Sequence, residues 1–227
     1  MSRQLVLLRP QPGNDRSAER ARALGLEVVQ IPLFEIVPVE DEPIPEGAFD
    51  ALLVTSPNGA EHGANVLARF ADLPVFTVGE VSAQAVRAHR GGDVIVGGGD
   101  AASTIPLIVQ AGLRSVLHVC GEETRAFDPL GLSVTPHIVY RSDARDMRRF
   151  SKFLATLPPS VIAIHSPAAG RRFNALMPPP ARNHLLVAIS AAAAEACGKG
   201  WRKVQVASSP DDTALLRLAS SLCMGAS

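Results

Sequence analysis

Short apolar runs, each ended by a turn built from Ser, Pro or Gly, recur along the chain and alternate with helix-length polar stretches. One such unit appears twice. Leu52-Leu53-Val54-Thr55-Ser56-Pro57-Asn58-Gly59 is an apolar run closed by a Ser-Pro turn and a glycine, and Val161-Ile162-Ala163-Ile164-His165-Ser166-Pro167-Ala168-Ala169-Gly170 repeats it. Each copy reads as a buried strand whose turn starts a helix. A hydroxyl and free backbone N–H groups then stand at the helix mouth, a place suited to an anion. A second match keeps the register: the strand 75–78 with Gly79 and a helix over 81–89 is echoed by the strand 185–190 and a helix over 192–198. The offset is about 110 positions in both cases. Two matched strand–helix pairs at one offset indicate a duplicated domain, not a short solenoid repeat.

The remaining elements complete the plan. The pattern predicts a strand over 5–8, a helix over 16–24 that Gly25 ends in the left-handed conformation, and a strand over 27–33. Residues 34–47 alternate in polarity and contain Pro38, Pro43 and Pro45, so they read as an extended connector. A helix is expected over 58–70, a strand over 94–96, a helix over 103–111, a strand over 116–119, a helix over 122–130 ended by Gly131, and a strand over 134–140. The segment 116–140 echoes 5–34, and Val204-Gln205-Val206 supplies the third strand of the second copy. The fold class is α/β: two flavodoxin-like parallel-sheet domains joined by a two-stranded linker, the first domain discontinuous. The outer domain takes 1–34 plus 145–227, resuming near Arg149. The inserted domain takes 47–137, and 35–46 and 138–144 are extended interdomain connectors. Each domain is expected to be a five-stranded parallel sheet with helices on both faces. Ligands of such sheets sit beyond the carboxyl ends of the strands, so a ligand held by both Ser-Pro turns is expected to fill a cleft between the domains.

Composition narrows the class of function. The chain has 227 residues, 47% hydrophobic and 19% charged, with zero formal net charge. That is the composition of a soluble globular protein, long enough for two cores. Of the basic residues only Lys152, Lys199 and Lys203 are lysines, and the arginines form no stripe, so a nucleic acid is not an expected partner; no apolar run approaches the roughly 20 residues of a membrane-spanning helix, so neither is a membrane. Cys120, Cys197 and Cys223 show neither metal-ligand nor disulfide spacing, which suits a reducing compartment. The apolar core at the N-terminus is too short for a signal peptide, and a cytoplasmic monomer is the expectation.

Candidate chemistry is sparse. Gly97-Gly98-Gly99-Asp100 lacks both the Lys-Ser/Thr ending of a P-loop and dinucleotide spacing, so it reads as a plain βα turn. The acidic run Glu40-Asp41-Glu42 reads as solvated connector. His165 beside Ser166 does not make a nucleophile pair, because adjacent strand residues point to opposite faces. Tyr140, the only tyrosine, lies where the chain crosses between domains. It is either a packing aromatic or a hydrogen-bond donor to a leaving group. Arg125, Arg171 and Arg172 are either solvated or carboxylate-binding.

Together these residues resemble the uroporphyrinogen-III synthase family. The resemblance is carried by the strand with Thr-Ser-Pro-Asn-Gly at 53–59, Val78-Gly79 before a small-residue helix, Val139-Tyr140, the strand with His-Ser-Pro at 164–167, and Arg9-Pro10 after the first strand. It covers the whole chain. Leu8 stands where the family often has Thr, and Ser190-Ala191-Ala192-Ala193 stands where it often has Gly and Thr.

The resemblance implies a lyase that closes hydroxymethylbilane to uroporphyrinogen III with inversion of ring D and loss of water, without a cofactor. It implies a transient handover from the enzyme that makes hydroxymethylbilane. Tyr140 becomes the expected catalytic residue. Arg9, Thr55, Ser56, Pro57, Asn58, Gly79, Ser82, Gly121, Arg125, Ser166, Ala168 and Ser190 become the expected substrate-binding set. The alternative is a non-enzymatic two-domain protein that binds or senses an anionic ligand.

Overall fold

The computed structural model describes residues 3–40, 43–146, 153–154, 156–177 and 183–225. The resumption of the outer domain near Arg149 and the acidic residues Asp41 and Glu42 lie outside them. The chain forms two compact units, Met1–Glu35 with Asp143–Ser227, and Ile36–Ser142.

The strands of the first unit are β1 (Leu5–Leu7), β2 (Val28–Gln30), β9 (Val161–Ile164), β10 (Leu185–Ala188) and β11 (Lys203–Val206). They form a five-stranded sheet in the order β11-β10-β9-β1-β2, every neighbouring pair parallel. The central strands β1, β9 and β10 are buried along their length, as a sheet covered on both faces requires. Alternation divides their side chains. Leu5, Leu7, Val161, Ala163, Leu185 and Val187 meet α1 (Gly13–Ala23) and the C-terminal helix α8 (Asp212–Cys223). Val6, Leu8, Ile162, Ile164, Leu186 and Ala188 meet α6 (Pro167–Leu176) and α7 (Ala191–Ala196) through Phe173, Ala193 and Cys197.

The second unit has the strands β4 (Ala51–Val54), β5 (Val75–Thr77), β6 (Val94–Val96), β7 (Ser115–Gly121) and β8 (Ser133–Ala144), with β3 (Phe34–Pro38) at the edge beside β8. The order is β3-β8-β7-β4-β5-β6, and the pairs from β8 to β6 are parallel. Helices α2 (Pro57–His62), α3 (Ala64–Arg69) and α4 (Glu80–His89) cover one face, and α5 (Ala101–Gln110) covers the other.

Four differences from the sequence expectation have physical causes. The inserted sheet has six strands, not five, because the connector segment β3 hydrogen-bonds to the long β8. The helix expected over 58–70 breaks at Gly63, where a Cβ would stand 2.5 Å from Val119 Cγ1 and 2.6 Å from the Gly59 carbonyl. Residues 122–130 are not helical. That stretch offers one half-buried apolar side chain, Phe127, which packs against His118 and the core under α5, and no stripe to bury; Asp128 Oδ1 instead accepts the Leu130 N–H in a turn at Pro129. Helix α8 was not read from the sequence. Its signals are an Asp211 cap and apolar Leu215, Leu216, Ala219, Leu222 and Cys223 at helical spacing.

Candidate functional site

The two Ser-Pro turns have the same local build. After β4 and after β9 the backbone leaves the sheet, Ser56 and Ser166 take extended dihedrals, and a proline opens the helix. Ser56 Oγ accepts the Gly59 N–H at 3.0 Å, and Ser166 Oγ accepts the Ala169 N–H at 3.1 Å. Ser190 repeats the device after β10, with the Ala193 N–H at 3.3 Å. These hydroxyls act first as helix caps. With Pro57 and Pro167 lacking an N–H, the amides of Asn58 and Ala168 are the first-turn donors that neither the cap nor proline removes. Helix α4 is different: it begins on Gly79, which has no side chain to cap it. Its first-turn N–H groups therefore face no side-chain competitor for an anion. Ser82, in that turn, has its side chain buried.

The second unit gathers Ser56, Tyr140 and Gly121. Ser56 Oγ lies 3.0 Å from the Tyr140 hydroxyl. The register of β7 and β8 slips between Cys120 and Gly121, which sets Gly121 directly opposite Tyr140. Glycine is required there. A Cβ would stand 2.5 Å from Tyr140 Cζ, so the phenol end of the ring lies against the backbone. The ring also tilts against His62, with centroids 5.9 Å apart. Burial raises the Tyr140 pKa above its ordinary value, against the opposing pull of the Ser56 hydrogen bond. The phenol is therefore protonated at neutral pH and can donate. Next to it, Thr55 Oγ1 lies 2.9 Å from His118 Nε2. Burial lowers the His118 pKa to about 4, so the imidazole is neutral.

Arg125 is exposed in the irregular stretch after β7, near enough to Asp100 to contribute to its lowered pKa. Arg171 is exposed, whereas Arg172 Nη2 donates to the Arg145 carbonyl.

The first unit gathers a different set. Arg9, just beyond β1, pairs with Asp212 at 3.4 Å and donates to Ser17 Oγ at 3.1 Å. Ser17 donates to Asp212 at 2.8 Å, and His165 Nε2 lies 2.9 Å from the same carboxylate oxygen. Arg20 reaches the other oxygen at 3.1 Å. Burial opposes ionisation of Asp212. The hydrogen bonds from His165 and Ser17 and the nearby positive charge outweigh it, and the carboxyl is held at about 2. Burial also lowers the pKa of His165, which therefore donates as a neutral imidazole. His165 thus serves Asp212 while Ser166 serves the helix cap. His118, His62, Ser17 and Asp212 were missed from the sequence; only the cap-like Asp211-Asp212 before an apolar helix carried any signal.

Among the described residues no group of three His, Cys, Asp or Glu could hold a metal ion, and no helix is long and apolar enough to cross a membrane.

Comparisons with known proteins bear on the family and the fold. The family model for uroporphyrinogen-III synthase HemD matches residues 15–217. The solved structure of uroporphyrinogen-III synthetase from Helicobacter pylori is similar in fold, with a TM-score of 0.66 at 18% identity, covering 97% of this chain and 99% of that one. A mutant uroporphyrinogen III synthase from the extremely thermophilic bacterium Thermus thermophilus aligns with a TM-score of 0.52 at 17% identity, over 96% of this chain and 98% of its own. No curated protein matches the chain significantly. Nothing in these likenesses favours a non-enzymatic ligand-binding protein. The chain belongs to the uroporphyrinogen-III synthase family, enzymes of tetrapyrrole synthesis.

Proposed function

We propose that this member of the family works as a cyclising hydro-lyase in which Tyr140 assists the departure of the substrate hydroxyl. The supporting observation is the constellation of Ser56, Gly121 and Tyr140: a protonated phenol packed against a glycine backbone and hydrogen-bonded to a serine hydroxyl. Hydroxymethylbilane loses its terminal hydroxyl as water once that oxygen takes up a proton, leaving an azafulvene cation. The substituted carbon of ring D attacks that carbon and forms a spiro centre. The bond from ring D to its original bridge then breaks, the bridge carbon re-bonds to the free α carbon on the other side of the ring D nitrogen, and loss of the proton on that carbon restores the pyrrole. The net change is release of one water with ring D inverted.

The bilane also closes unaided, without inversion, so the protein must choose which atom attacks. That is a task of positioning more than of strong acid–base chemistry. It accords with a site built from capped turns and one phenol.

In the second unit the backbone donors at Asn58 and the turn after Gly79, with Thr55, Pro57, Ser82 and Arg125, are suited to carboxylates of the substrate, and in the first unit so are the donor at Ala168, Ser190 and Arg9. Handover from the enzyme that makes hydroxymethylbilane would limit loss to the spontaneous product.

The test is to supply purified protein with freshly generated hydroxymethylbilane, oxidise the product and separate isomers I and III. Isomer III in proportion to protein is expected; isomer I at the spontaneous rate would overturn the reading. Tyr140→Phe is expected to slow turnover about 10- to 100-fold, as for loss of one proton donor among several. An unchanged rate would remove Tyr140 from the chemistry.

A further inference from the structure

Asp212 is the first residue of α8, and three other segments of the first unit converge on it: the exit of β1, helix α1 and the Ser-Pro turn after β9. Its Oδ1 accepts from Ser17 and His165 and lies 3.4 Å from Arg9 Nη1, while Oδ2 accepts from Arg20. One carboxylate thus answers two guanidiniums, with Arg16 close enough to add further positive potential at Arg9. Only 12% of the Asp212 side chain is exposed, against 29% for Arg9. The carboxylate is enclosed, and the guanidinium remains within reach of a ligand.

The position of Arg9 is set twice over. Its Nη1 is taken by Ser17 and Asp212, and its other edge lies over Gly13, where a Cβ would be 2.6 Å from Nε and 2.7 Å from Nη2. Among the described residues, Nε and Nη2 make no hydrogen bond. The fork is therefore held by one nitrogen, with the N–H groups that could grip a carboxylate unused. A simple staple tying α8 to the sheet would not need a half-used arginine seated on a glycine.

We propose that Asp212 is a positioning residue that aims the Arg9 guanidinium at a carboxylate of the substrate. The proposal rests on the reading of this protein as a hydroxymethylbilane-cyclising enzyme. Asp212 does not touch the substrate. It acts through Arg9, and Ser17 and His165 keep its carboxylate in place.

A double-mutant cycle on the full chain tests this, with KM, kcat and the isomer III fraction measured on freshly generated hydroxymethylbilane. Asp212→Asn can still accept from Ser17 and His165 but loses the charge that orients Arg9. It is expected to raise KM about tenfold with kcat within about threefold. In an Arg9→Ala background the same change should move KM by less than about twofold, because the group it acts through is gone. Gly13→Ala keeps every charge and displaces the guanidinium sterically. It should give a similar rise in KM, also lost in the Arg9→Ala background, and it carries the test alone if Asp212→Asn does not fold. Equal KM effects in both backgrounds, or unchanged KM in Asp212→Asn and Gly13→Ala, would overturn the positioning role. Wild-type protein that forms no isomer III would overturn the functional reading and this proposal with it.

Discussion

The turns after β4 and β9 share a Ser-Pro opening, the same alternation of buried and half-buried positions, and a serine cap with an N···O distance of 3.0 or 3.1 Å. They are tethered by opposite kinds of chemistry. In the second unit the residue before the cap, Thr55, meets a neutral His118, and the cap itself meets the Tyr140 hydroxyl. In the first, the corresponding residue is His165, bound to an ionised Asp212 that also holds Ser17 and two arginines. One turn sits in a neutral hydroxyl–imidazole–phenol setting and the other in an ionic cluster. The duplicated strand–turn–helix carries the geometry, and the elements packed around each copy supply its chemistry.

The largest effect expected from breaking this contrast is on stability. Asp212→Ala leaves Arg9, Ser17 and His165 facing an unfilled, partly buried site, and should cost about 2–4 kcal/mol in urea unfolding. A loss under about 1 kcal/mol would mean that the cluster is no tighter than a surface pair.

Acid unfolding separates the buried neutral histidines from the ionised Asp212 next. Between about pH 6.5 and 4 the unfolded chain protonates His118 and the fold does not, so stability falls as pH drops through that window, by up to about 3 kcal/mol. His165 and His184, also lowered by burial, add to the same limb. Asp212 contributes stability above its ordinary 3.8, lost as pH falls toward 2, on the order of 2 kcal/mol. His118→Gln should flatten the upper limb and Asp212→Asn the lower one. If His118→Gln left the upper limb unchanged, the buried neutral imidazole would not be its source.

Gly121→Ala sharpens the comparison on the catalytic side. The new methyl must push the Tyr140 ring off Ser56, so turnover should fall about as far as in Tyr140→Phe, roughly 10- to 100-fold, while isomer III remains the enzymatic product. A normal rate would show that the ring need not lie against β7.

The smallest effect is at the caps. Ser56→Ala and Ser166→Ala should each cost about 1 kcal/mol in thermal unfolding. Only Ser56→Ala should also slow turnover, about three- to tenfold, because Tyr140 loses its partner. Equal slowing by both would erase the functional difference between the turns.

Much of this was legible in the residues. The short continuous apolar runs and their Gly, Ser and Pro punctuation located the strands, the left-handed Gly25, the Ser-Pro helix starts and the duplicated order of units, because each of these is set within a few positions of the chain. Local propensity misled at 122–130, which has no apolar stripe to bury, and at Gly63, where the helix is interrupted and Val119 and the Gly59 carbonyl leave no room for a Cβ. Tyr140 stood out as the only tyrosine at a crossing, but its pairing with Ser56 spans 84 positions and depends on a one-residue slip between β7 and β8.

By itself the sequence determined the α/β class, the discontinuous duplication and the family, since these rest on local patterns in a fixed order. The Asp212 cluster was decided by tertiary structure alone. Arg9 and Asp212 are 203 positions apart, and neither residue's surroundings in the chain reveal the other. Only the docking of α8 beside α1, on the apolar face formed by β1, β9 and β10, brings the carboxylate into a buried setting where hydrogen bonds and charge outweigh its desolvation.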